Sequence, residues 1–231
     1  MNRNVHWLVQ TASDLPEHDH WLSGWELQVL AGMRFAKRRR DWKLGRWTAK
    51  KAVCAFWHKK EDAVLSSMEI RAAEDGSPVL FCNQQSENLS LSLSHSWDKG
   101  LCVIGPGDFA LGCDLEFIEG RDEKFIEDYF TREEIELIQR CGDEKKPLAA
   151  NLIWSAKESV LKVLREGLRR DARSLSIHAD LSAPESLWNP WAAQCLISSR
   201  VFWGWWRTSG SYVYTVASDQ PVNVPEPLGS E

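Results

Sequence analysis

Trp47-Thr48-Ala49-Lys50-Lys51-Ala52-Val53 recurs 107 residues later as Trp154-Ser155-Ala156-Lys157-Glu158-Ser159-Val160. Each copy follows a phenylalanine that precedes a charged stretch, Phe35 and Phe130. A repeat of this period predicts two similar α+β halves in one chain, related by a pseudo-twofold axis and holding ligand between them. The informative difference between the copies is Lys51 against Glu158.

Working outward, the N-terminal half reads as a strand over 5–10, then a helix opened by Ser23 as N-cap with Glu26 at the capping-box position. A second helix runs from about Lys37 to His58. The turn Asp75-Gly76-Ser77-Pro78 precedes a short apolar strand. Leu89–Ser94 alternates Leu with Ser, the pattern of a half-buried strand. Leu101–Ile104 and Ala110–Phe117 flank Gly105-Pro106-Gly107-Asp108, which predicts antiparallel strands and a midpoint, so the halves are expected at 1–109 and 110–231. Helices are expected over 125–141 and 149–168, strands over 196–206 and 212–217, and a loosely ordered Pro-rich tail after Asp219. This is an α+β layout with no βαβ nucleotide fold.

With 231 residues, 43% hydrophobic and 26% charged, the chain suits a globular protein with a real core. The net charge of −5 argues against a dedicated nucleic-acid binder. Residues 1–109 carry 14 Lys+Arg against 13 Asp+Glu, and residues 110–231 carry 14 against 20. An acidic half facing a slightly basic one suits a metal bridging an anionic ligand. The six cysteines have no CxxC spacing, so neither a zinc site nor a disulfide framework is expected. No signal-like segment and no long apolar run is present, which leads to the expectation of a cytoplasmic protein.

In the strand Gly112-Cys113-Asp114-Leu115-Glu116-Phe117, side chains alternate, so Asp114 and Glu116 share one face. Two like charges so placed destabilise a sheet unless a cation or strong donors offset them. Either the face is solvated, or the pair converges on a hard cation such as Mg²⁺, which binds through a few carboxylates plus substrate phosphates. In the second repeat, Ile153, Ala156, Val160, Val163 and Leu164 form a core-facing stripe. Glu158 and Lys162 lie four apart on the other side, the arrangement of a surface ion pair or of two site residues. Ser94 and His95 at a strand end offer donors to a phosphate or form a structural hydrogen bond. Arg34 to Lys51 holds nine Lys+Arg and one acid, Asp41. Such a run is a solvated helix face or an attractor of phosphates and acidic partners.

Three segments taken in order, Ser94-His95, Asp114-Leu115-Glu116 and Trp154-Ser155-Ala156-Lys157-Glu158 with Lys162, resemble the 4′-phosphopantetheinyl transferases of the longer, monomeric type. The resemblance also takes in Arg34-Phe35, Gly76-Ser77-Pro78, Tyr129-Phe130-Thr131 with Glu134, and the strand near Tyr212. It implies transfer of phosphopantetheine from coenzyme A to a serine of an acyl, peptidyl or aryl carrier protein, with release of 3′,5′-ADP. It further implies Mg²⁺, or Mn²⁺, held by Asp114, Glu116 and Glu158, with Glu158 activating the serine and Lys162 neutralising phosphate charge. Ser94 and His95 would bind the 3′-phosphate, and Gly76 and Ser77 would lie beside the adenine. The chain departs from the family at Gln28, Ala31 and Ser77, where basic residues are common; Arg34, Arg39, Arg46 or Lys50 are the candidates to replace them.

Two other readings stand beside this one. One is a different Mg²⁺-dependent enzyme of nucleotide or diphosphate substrates using the same carboxylates, although no Walker or dinucleotide glycine pattern is present. The other is a non-catalytic binding module whose thirteen Trp form an interface.

Overall fold

A computed structural model describes residues 3–58 and 65–229. The first part contains β1 (His6–Thr11), α1 (Gly24–Ala31), α2 (Ala36–Phe56), β2 (Met68–Ala72), β3 (Pro78–Cys82), β4 (Gln85–Ser86), β5 (Leu89–Ser96) and β6 (Lys99–Pro106). The second contains β7 (Leu111–Phe117), α3 (Glu123–Tyr129), α4 (Arg132–Arg140), α5 (Lys146–Leu164), β8 (Leu175–Ala179), β9 (Asn189–Cys195), β10 (Val201–Ser209), β11 (Tyr212–Ser218) and β12 (Glu226–Pro227). Mixed helices and antiparallel sheets make the fold α+β, as the sequence predicts.

The second part is one sheet in the order β7-β11-β10-β9-β8. The first is split into β1-β6-β5, to whose β1 edge β12 of the second part is added, and β2-β3-β4. Helix α2 buries Ala49, Ala52 and Val53 against one sheet, and α5 buries Ala156, Val160 and Val163 against the other. A third apolar cluster, with Val5, Trp7, Leu101, Leu115, Tyr214 and Val216, joins the two parts through the back faces of β1–β6 and β7–β11.

The repeat is used twice in the same way. Ser23 and Thr131 each cap a helix and form capping boxes with Glu26 and Glu134. Each glutamate also meets a fully buried lysine of the repeat: Glu26 with Lys50, and Glu134 with Lys157. Lys50 Nζ donates to the Trp21 and Leu65 carbonyls at 3.0 and 2.9 Å, and Lys157 Nζ to Ala172 and Leu175 at 2.9 and 2.7 Å. The second glutamate oxygen accepts Ile70 N–H at 3.2 Å in one half and Ile177 N–H at 2.9 Å in the other. Desolvation lowers the pKa of both lysines, with the glutamates pulling the other way. The repeated tryptophans match too: Trp47 Nε1 donates to Gln10 Oε1 at 3.1 Å, and Trp154 Nε1 to Glu116 Oε1 at 3.0 Å.

Several expectations are corrected. The strands flanking Gly105–Asp108 are both present but do not pair: β6 bonds to β1 and β5, and β7 to β11. The helix expected over 125–141 is broken at Phe130, whose extended backbone lets Thr131 start a new helix. Strands β2, β8 and β9 went unread because their polar and apolar residues alternate only over short runs. Residues 196–200 form a turn before β10. Up to residue 229 the Pro-rich tail is tied down, against expectation: Glu226 N and Leu228 N donate to the Val5 and Trp7 carbonyls at 2.9 and 2.8 Å, which lays β12 parallel to β1. Phe35 and Phe130 are not counterparts, since Phe35 is 72% exposed and Phe130 is buried.

Candidate functional site

The carboxylates of β7 face a crevice bounded by β5 and α5. Close approach of α5 begins at Gly112, where an added Cβ would lie 1.9 Å from the Ser159 carbonyl oxygen. Ser155 and Ser159 share hydrogen bonds with Thr215 of β11 at 2.8 and 2.7 Å, which fixes the rotation of the helix on the sheet. That rotation turns Glu158 and Lys162 inward. The solvent-facing ion pair that their spacing allowed does not form: Lys162 Nζ donates instead to Asp114 Oδ1 at 2.9 Å and to the Cys113 carbonyl at 2.7 Å.

Asp114 is buried, and its Oδ1 also accepts the Ser94 hydroxyl of β5 at 2.7 Å. Its Oδ2 and Glu158 Oε1 are buried without a hydrogen-bond partner. Burial and the nearby Asp114 charge raise the Glu158 pKa. The same two causes push Glu116 up to about 7, against Arg121. Arg121 NH2 donates to Glu116 Oε2 at 2.9 Å and Arg121 Nε to Asn151 Oδ1 at 2.8 Å. Burial works against the Lys162 charge, but Asp114 outweighs it and the pKa is raised. Lys162 therefore stays protonated. The crevice gathers three acids, Asp114, Glu116 and Glu158, against two cations, Lys162 and Arg121, and the acid left in excess favours a further cation.

No group of three or more His, Cys, Asp or Glu is drawn together as a ready-made metal cage among the described residues. The donor chemistry nevertheless suits a hard ion: two buried carboxylate oxygens lack partners, and each oxygen of Glu116 keeps lone pairs beyond the one used by Trp154 or Arg121.

Lys162 also lines a cavity of about 520 Å³ that reaches Gly76, Ser77, Arg46 and Arg165. A second cavity, of about 600 Å³, shares Arg46 and holds Ser94, His95 and the exposed Phe35. Arg46 lies 4.6 Å over the Trp42 ring, and its Nε is buried without a partner. Of the expected ligand contacts, Gly76, Ser77, Ser94, His95 and Arg46 are thus gathered along these two cavities. Arg34 lines neither. His95 is half exposed, with Nε2 3.8 Å from Asp41. Two proposed substitutes are corrected: Lys50 is sealed onto Glu26, and Arg39 donates to the Leu30 carbonyl at 2.7 Å. Sequence reasoning missed Arg121 and Trp154 Nε1 as the donors to Glu116, and Asn151 as the residue that orients Arg121. The matched tryptophans of the repeat were the available signal.

No helix among the described residues is long and apolar enough to cross a membrane. Residues 110–217, which include β7 and α5, match the family model of the 4′-phosphopantetheinyl transferase superfamily. The chain is also 27% identical over 165 residues to the 4′-phosphopantetheinyl transferase HetI of Nostoc sp., covering 71% of this chain and 68% of that protein.

Proposed function

We propose that this chain, a member of the 4′-phosphopantetheinyl transferase superfamily through residues 110–217, transfers 4′-phosphopantetheine from coenzyme A to a serine of an apo carrier protein, releasing 3′,5′-ADP. The observation that carries the reading is the inward-facing set Asp114, Glu116, Glu158 and Lys162 beside a cavity long enough for a nucleotide. The halves meet at about residue 110 around a pseudo-twofold axis, with coenzyme A between them. The protein acts as a cytoplasmic monomer, because one chain supplies both halves of the crevice.

Phosphoryl transfer needs positioning and charge neutralisation more than covalent help. Asp114, Glu116 and Glu158 would hold Mg²⁺, which supplies Lewis-acid neutralisation of the pyrophosphate when bound. Glu158 would also activate the carrier serine, taking its proton directly or through water. Lys162, held charged by Asp114, faces the pyrophosphate and the departing nucleotide. Gly76 and Ser77 border the adenine end, while Arg46, Ser94 and His95 receive the 3′-phosphate.

The test is mass spectrometry of an apo carrier after incubation with coenzyme A and Mg²⁺. A mass gain of one phosphopantetheine, lost in excess chelator, is expected. No gain with fatty-acid, polyketide and peptide carriers alike would refute the activity.

A further inference from the structure

Helix α5 ends on a residue that its backbone does not favour. Arg165 is left-handed, with φ 58° and ψ 28°. The Arg165 N–H bonds to the Lys162 carbonyl at 3.1 Å and the Glu166 N–H to the Leu161 carbonyl at 3.2 Å. This pair of bonds closes a helix through a left-handed residue that is usually glycine. Any other side chain crowds the following carbonyl there, so an arginine is kept at a cost to stability. Such a cost persists where the side chain contributes something else.

The Arg165 side chain spans the larger cavity. It lines the wall formed by the end of α5, while Asp75, Gly76 and Ser77 line the wall of the first half. Arg165 Nη1 lies 3.5 Å from Asp75 Oδ2, with the side chains 60% and 30% exposed, so the bridge stands at the open rim. The other carboxylate oxygen holds the turn between β2 and β3: Asp75 Oδ1 accepts the Ser77 hydroxyl at 2.6 Å and the Ser77 N–H at 2.8 Å. Those two bonds, and then the Arg165 charge, lower the Asp75 pKa, so the carboxylate stays ionised at neutral pH. The turn belongs to the small sheet β2-β3-β4, which among the described residues is separate from the two sheets that carry the crevice. Through Asp75, one arginine of the second half therefore reaches the residues that border the adenine end.

We propose that Arg165 is a positioning residue for the nucleotide: through Asp75 it fixes the turn 75–78 against the end of α5, so that this wall of the cavity is set before the nucleotide enters. The inference rests on the reading of the cavity as the coenzyme A site. A wall already in place spares the ordering that binding would otherwise cost. The pair is partly exposed, which limits its share to about two- to fivefold in affinity.

Coenzyme A binding to the full chain, measured by calorimetry with Mg²⁺ present, tests this alongside the melting temperature. Arg165→Gly removes the charge and relieves the backbone, so the two readouts should move apart. The dissociation constant should rise about two- to fivefold, while the melting temperature holds or rises. Arg165→Lys, which keeps the charge, should retain most of the affinity. Asp75→Asn keeps an acceptor for Ser77 and should weaken binding as much as Arg165→Gly does; the double variant should be no weaker than either. In transfer kinetics the coenzyme A KM should rise, with kcat and the carrier KM unchanged. Unchanged affinity in Arg165→Gly would overturn the inference. So would a full further loss on top of Asp75→Asn, which would mean that Arg165 touches the nucleotide itself, or a fall in melting temperature parallel to the lost affinity. A wild-type chain that binds no coenzyme A would instead refute the reading of the cavity, and the inference with it.

Discussion

The two parts of this molecule that carry the repeated segment hold their helices in the same way but differ in the residues beside them. Between β7 and β5, Asp114 and Glu116 meet Glu158 and Lys162; the positions that strand register and the repeat match to them are Leu8, Gln10, Lys51 and Ala55, none of them acidic. What the halves share is scaffold: a buried lysine–glutamate pair in which the lysine donates to two backbone carbonyls and the glutamate accepts a strand N–H, and a tryptophan that donates to a strand residue. The groups that hold each helix on its sheet are thus matched between the two parts, while the residues beside Glu158 and Lys51 differ. Packing constrains buried residues tightly, whereas crevice residues are constrained only by what they bind.

A first test concerns the close approach of α5 to β7. Gly112→Ala places a methyl on the Ser159 carbonyl and should destabilise the fold by about 3 kcal/mol or more, read by denaturant unfolding. His6 occupies the corresponding place in β1, so His6→Ala should cost far less. Similar losses in the two variants would show that the approach of α5 is not special.

The shared scaffold predicts matched losses. Glu26→Ala and Glu134→Ala each strand a buried lysine and should each cost about 3–5 kcal/mol. Unequal losses would mean that one half bears more of the stability than the common geometry implies.

The two parts should also separate by activity. Asp114→Asn and Glu158→Gln should lower transfer roughly a hundredfold to a thousandfold while the proteins stay folded. Gln10→Glu, the reciprocal change at the matched position of β1, should leave the rate within about twofold, an upper bound set by the near-neutral effect of changes away from a site. A large loss in Gln10→Glu would tie both parts to the reaction.

The smallest effect concerns the basic surface at the end of α5. Arg169 is exposed, but Arg170 already pairs with Glu166, and Arg165 lies 3.5 Å from Asp75. Charge reversal at Arg169 and Arg170 should therefore raise the carrier KM only about two- to threefold at low salt, since exposed charges are screened beyond about 8 Å at physiological ionic strength. A carrier KM independent of salt would reject steering.

The repeat, the Ser23–Glu26 capping box, the strand alternation at Asp114 and Glu116 and the difference between Lys51 and Glu158 were all determined by the sequence alone. Each depends on residues close together in the chain or on a copy of the same pattern, and local geometry fixes their relative placement. Tertiary structure decided the rest. The spacing of Glu158 and Lys162 puts them on one helix face but leaves open which way that face turns; Gly112 and the Ser155–Thr215–Ser159 bonds turn it onto Asp114. Lys50 lay within a basic run, and only its meeting with Glu26, 24 residues away, removed it from the candidate phosphate ligands. The tail after Asp219 offered no periodicity, because an edge strand of two residues leaves none, and its order came from the free edge that β1 presents. Contacts of this kind join residues far apart in the chain, so they exist only after both partners have been packed into place.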